Sequence, residues 1–120
     1  MIKRLLVLSL LGFALSPAAC GGDGPGSAGD FCNQIQSVVC NKVFECVPAG
    51  ERDASFTSEF GPTAAACTSQ NTAEQCGTAA SDCPKYNASA AQTCLNKLAA
   101  TSCTDTSTDL PDECNAACGP

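Results

Sequence analysis

DFCNQIQSVVCNKVFECVP, residues 30–48, reads as one helix that carries three cysteines, and it decides the fold. At about 100° per residue, Phe31, Cys32, Ile35, Val38, Val39, Val43 and Cys46 fall within about 140° of one another. Asn33, Gln34, Ser37, Asn41 and Glu45 lie elsewhere on the wheel. Asp30 can cap the first turn, and Pro48 with Gly50 stops the last, so a helix is expected over residues 31–47. Along it Cys32 and Cys40 stand about 12 Å apart, and Cys40 and Cys46 about 9 Å. A disulfide needs Cα atoms within roughly 7 Å. None of the three therefore bonds to another of the three. The helix is fastened to the rest of the chain at up to three points, and about two thirds of all pairings stay open.

Three further helical stretches follow. One is expected from Pro62 to about Gln75, where Gly61-Pro62 suits a start and TAAACTSQ (63–70) supplies good formers. Another should run from Ala88 to Thr101, with Asn87 as its cap and Tyr86 stapled onto Ala91. Ala91, Cys94, Leu95 and Leu98 share one of its faces. A short fourth turn follows Pro111, with Cys114 and Cys118 on one side and Gly119 at its end. No stretch alternates as a strand does. The expected fold is all-α, a small disulfide-stapled bundle of three to four helices. Cys67/Cys76 and Cys94/Cys103 each enclose eight residues. That echo is either a duplicated helical hairpin or the coincidence that an Ala-rich chain allows.

The interior available to such a bundle is thin. Residues 30–120 offer thirteen large apolar side chains: Phe31, Ile35, Val38, Val39, Val43, Phe44, Val47, Phe56, Phe60, Tyr86, Leu95, Leu98 and Leu110. Burying these cannot by itself outweigh the entropy of ordering the backbone. Cysteine has to supply the rest. Ten cysteines lie in this region: Cys32, Cys40, Cys46, Cys67, Cys76, Cys83, Cys94, Cys103, Cys114 and Cys118. They suffice for five bridges, and at this density in an exported chain they read as staples.

The eleventh cysteine belongs to the address. Lys3 and Arg4, the apolar run LLVLSLLGFAL (5–15) and small residues up to Ala19 follow the three-part plan of an export signal. Eleven apolar residues span about 16 Å, half a hydrocarbon core. Small residues directly before Cys20 resemble the lipobox of bacterial lipoproteins, which implies a diacylglycerol on Cys20 and removal of residues 1–19. Pro17 departs from that pattern, where an apolar residue such as Leu is usual. Ordinary cleavage after Ala18 or Ala19, releasing a soluble protein, is the alternative. Parity favours the lipid, because eleven cysteines less Cys20 leave none unpaired. Residues 20–29 then read as the lipidated cysteine plus a Gly-rich tether (GGDGPGSAG, 21–29), and residues 30–120 as the cysteine-rich domain. Gly21 after Cys20 resembles the default form sorted to the outer membrane.

Much chemistry is excluded. The chain has no histidine, which removes Ser-His-Asp and Cys-His catalysis and imidazole ligation of zinc or haem. It has no CxxC, which removes thioredoxin-type redox exchange and c-type haem attachment. Cysteine spacing does not suit a thiolate metal cluster, so no metal or other cofactor is expected. Asp105, Asp109, Asp112 and Glu113 superficially resemble a calcium loop. Leu110 and Ala116 occupy the positions where an EF-hand needs Gly and a bidentate Glu, so a solvated turn is expected there. Asn87-Ala88-Ser89 matches a glycosylation sequon but reads as a helix cap. Without Lys3 and Arg4, four basic residues face twelve acidic ones, a net charge of −8 that disfavours nucleic acid and anionic membrane surfaces.

From Asp30 onward the chain resembles cysteine-rich lipoproteins of myxobacteria and their relatives. The likeness rests on Cys40, Phe44, Glu45 and Cys46, on Phe60, Gly61 and Cys67, and on Tyr86, Ala88, Ala90 and Cys94. It implies an exported, disulfide-stapled lipoprotein and brings no established activity with it. The expected function is non-catalytic: a cell-envelope binding or structural component, held to the membrane by its lipid. Its expected partner is an envelope or extracellular protein or glycan. A secreted effector or inhibitor is the alternative, and a carboxylate-dependent hydrolase is a third reading for which no residue pair can be named.

Overall fold

Helix α1 spans Ala28–Cys46, and everything else is arranged along it. The structure, a computed structural model, describes residues 24–105 and 109–119. The signal segment 1–19 and Cys20 lie outside the described residues. α1 begins earlier than its sequence suggests. Ser27, not Asp30, is the cap, its hydroxyl accepting from the Asp30 N–H at 3.1 Å, while Asp30 sits in the first turn where its charge favours the helix dipole. The helix gains these residues because the chain before it is docked. Pro25 is buried, and its carbonyl accepts a hydrogen bond from the Tyr86 hydroxyl. Gly24 sits at φ +59°, where a Cβ would lie 2.0 Å from the Ala88 carbonyl oxygen, so only glycine fits. Residues 24–29, expected as tether, thus belong to the domain.

Tyr86 is the hinge-pin of this docking. Burial, and then the Asp30 charge, raise its pKa above the ordinary phenol value. Its neutral form is favoured in the fold, so this contribution is complete below the ordinary tyrosine pKa and lost as pH rises through the raised one. Tyr86→Phe is expected to cost about 0.5–1.5 kcal/mol in urea unfolding near neutral pH. Hydrogen exchange should rise at the Ser27–Asp30 cap, and the alkaline loss of stability should shrink.

Six α-helices form among the described residues, two more than the four helical stretches the sequence suggests. α2 (Ala54–Phe60) is capped by Asp53, whose Oδ1 accepts from the Phe56 N–H at 2.9 Å, and it ends at Gly61 with φ +77°. α3 (Ala64–Gln75) starts after Thr63 rather than at Pro62, because the Thr63 hydroxyl accepts from the Ala66 N–H at 3.1 Å. α4 is a single turn, Ala79–Asp82. α5 (Ala88–Ala100) is capped by Asn87, as expected, with Oδ1 accepting from the Ala90 N–H at 2.9 Å. α6 is short, Asp112–Ala116. No strand occurs among the described residues, and the chain is the all-α, disulfide-stapled bundle its cysteines imply.

All three cysteines of α1 leave the helix to bond elsewhere: Cys32 to Cys76, Cys40 to Cys67 and Cys46 to Cys103. The first two zip α1 against an antiparallel α3. Cys32, Gln36 and Cys40 stand one turn apart and form this seam, about 120° round the helix from Phe31 and Ile35. Gln36 is buried there and its amide donates to Gln75 Oε1 at 3.1 Å. Cys94–Cys114 and Cys83–Cys118 tie α5 and the 83–87 segment to α6, and the Asn87 N–H donates to the Ala117 carbonyl at 2.8 Å. Cys67 and Cys76 thus both reach α1, whereas Cys94 and Cys103 go to different partners. The echo between those pairs has no counterpart in the bonding. Cys114 and Cys118, four apart at the last turn, bond to Cys94 and Cys83 respectively.

Sulfur fills the interior. Nine hydrophobic residues are buried among the described ones, and five are half-cystines: Cys40, Cys67, Cys83, Cys94 and Cys114. Cys40, Cys67 and Cys94 are also the largest side chains that are fully shielded. Phe31, Ala91, Leu95 and Ala117 complete the set.

Candidate functional site

Two helices that run side by side in one direction define the site. α1 meets α5 through Phe31 against Ala91 and Leu95 at their starts, and the Cys46–Cys103 bridge joins them at their ends. Between these fixed points the helices do not close completely. Val38, Val39 and Val43 of α1 face Leu98 of α5 across a groove of about 460 Å³. Thr101, Ser102, Cys103 and Asp105 with Asp109, Leu110 and Pro111 complete the lining, and Cys46 joins Cys103 there. The floor is aliphatic, and Leu110 stands 51 % exposed beside it. Lys42 and the two aspartates supply the polar rim, with Lys42 Nζ 3.1 Å from Glu45 Oε2.

An aliphatic floor with a few polar groups at its rim is the usual lining of a site that takes apolar groups. Ser102 donates to or accepts from the Thr104 hydroxyl at 2.9 Å. Among the described residues no group of three or more acids or cysteines is placed to hold a metal ion. Asp105 and Asp109 line the groove, Asp112 opens α6, and Glu113 binds Lys97 at 2.5 Å. That hydrogen bond, with a further one from backbone, holds the Glu113 carboxyl below the usual range. The pair's contribution is therefore present above the ordinary carboxylate pKa and fades as pH falls through the lowered one.

The valine face was visible in the sequence as apolar surface, but nothing there distinguishes groove from core. A second feature escaped notice altogether. Arg52 stacks 4.9 Å from the Phe44 ring centroid, and its guanidinium donates to the Phe44 and Val47 carbonyls, the latter at 2.8 Å. It caps the C-terminus of α1, where carbonyls lack partners and positive charge is favoured. Phe44, Phe56 and Phe60 stack in series at 5.1 and 5.0 Å, which seats α2. Asp53 followed by phenylalanines four apart was the available sign. Arg52→Ala is expected to cost about 1.5–3 kcal/mol. Arg52→Lys should recover less than half, because an ammonium cannot span both carbonyls. Urea unfolding with near-UV circular dichroism of the phenylalanines checks both.

Ten cysteines paired in five disulfides belong to an oxidising, extracytoplasmic environment. Among the described residues no helix is long and apolar enough to cross a membrane. No family model, curated protein or solved structure matches the chain.

Proposed function

We propose that the chain is an exported lipoprotein of the cell envelope whose stapled domain acts by binding, offering the α1–α5 groove to an envelope or extracellular protein or glycan. The observation that carries this reading is the pairing of all ten domain cysteines, which leaves Cys20 as the one sulfur available for a lipid. Gly21 favours the outer membrane over inner-membrane retention. The aliphatic floor of the groove supports its use as a contact surface. Pro17 favours a second reading, a secreted effector or inhibitor freed by ordinary signal cleavage.

Intact mass of the mature protein, before and after reduction with alkylation, separates the two. The lipoprotein reading expects a chain beginning at Cys20 that carries acyl mass, with ten alkylation sites appearing only on reduction. A mature chain beginning at Pro17, Ala19 or an unmodified Cys20 overturns the anchor.

A further inference from the structure

We propose that Cys46–Cys103 is a reducible latch on the groove, opened by thiol–disulfide exchange with a dithiol reductant while the other four bridges hold the fold. This goes beyond the binding role and holds with or without a lipid on Cys20. Two observations carry it. Cys103 is the only one of the ten bridged cysteines that is exposed; its partner Cys46 is half-buried. The bridge is also the sole disulfide between the α1–α3 hairpin and the α5–α6 unit, each of which keeps two of its own.

Access directs the chemistry. A thiolate of the dithiol attacks Cys103 Sγ, forms a mixed disulfide there, and expels Cys46 as a thiolate that takes up a proton. The reductant's second thiolate then attacks its own bonded sulfur and releases Cys103, which is protonated in turn. The dithiol leaves as a disulfide, two electrons and two protons poorer, and both cysteines are reduced. By contrast Cys40, Cys67, Cys83, Cys94 and Cys114 are buried, and Cys32, Cys76 and Cys118 are half-buried, so none is as open as Cys103.

The consequence is local. Phe31, Ala91 and Leu95 still hold α1 to α5 at their starts, and Lys97–Glu113 with Cys94–Cys114 still hold α5 to α6. Arg52 and the Phe44–Phe56–Phe60 stack still hold the end of α1, so what comes free is the end of α5 with Thr101, Ser102, Cys103 and Asp105, which line the groove. Val39, Val43 and Leu98 become more accessible.

The test treats the fully oxidised, exported protein with graded dithiothreitol, quenches with iodoacetamide and maps the labelled peptides. Cys46 and Cys103 should label together, about tenfold or more faster than any other pair. That species should retain its far-UV circular dichroism and bind more of the apolar dye anilinonaphthalene sulfonate. The Cys46→Ser/Cys103→Ser variant should fold with four bridges and show the raised dye binding without reductant. First labelling at another pair, or at all ten cysteines in one step, overturns the proposal. So does a double variant that fails to fold, or one whose dye binding equals that of the oxidised protein.

Discussion

Replacing Cys40 and Cys67 together by alanine is expected to lower stability by about 3–5 kcal/mol, a large share of what a domain of this size holds. Loop closure accounts for about 3 kcal/mol of it. The bridge spans 27 residues, and the neighbouring Cys32–Cys76 bridge shortens the effective loop further. Burial supplies the remainder. Cys40 is 0 % and Cys67 2 % exposed, so truncation leaves a sealed void where two sulfurs were. Alanine is the right replacement, since serine would bury hydroxyls without partners. The Cys46–Cys103 bridge closes a longer loop but lies at an exposed edge, so its removal carries the entropic loss without the void. Urea unfolding of both double variants measures the difference directly.

Phe31→Ala should cost a comparable amount, about 3–5 kcal/mol. Phe31 is the largest buried side chain among the described residues, 4 % exposed, with its ring 6.1 Å from that of Tyr86. It packs with Ala91, Cys94 and Leu95, so it is the apolar wedge between α1 and α5. The loss should be uneven. Hydrogen exchange should accelerate along α5 and at the start of α1, while the twice-bridged Cys40–Cys67 region of α1 and α3 changes least. Phe31→Leu should restore about half, being smaller but still able to reach Ala91 and Leu95.

These two effects explain which parts of the fold were legible in the sequence. α1 and α5 carry enough apolar periodicity to be read, and Asn87 marked its helix correctly. The ban on pairing within α1 needed only helix rise and bond reach, and all three cysteines there obey it. α2 and α4 are too short for periodicity to register; one rests on an aromatic stack and the other on a single turn. Gly24 and Pro25 looked like linker because glycine and proline signal flexibility, yet here glycine permits a close approach to Ala88. Cys40 sat off the apparent apolar face for a related reason. A hydrophobic face weighs side chains by grease, whereas this seam is built from Cys32, Gln36 and Cys40, a bonded stripe that hydropathy undervalues. The groove was hidden for the opposite reason: Val38, Val39 and Val43 look like core, yet all three stay only half-buried in the fold.

Sulfur bridges stand in for an interior that Phe31, Ala91, Leu95 and Ala117 are too few to build. Complete reduction and alkylation, followed by far-UV circular dichroism and urea titration, measures that substitution most directly. The reduced chain should lose most of its helix signal and show no cooperative transition, where the oxidised chain shows one. A reduced, alkylated chain that keeps its helices and unfolds in a single sharp step would contradict the account.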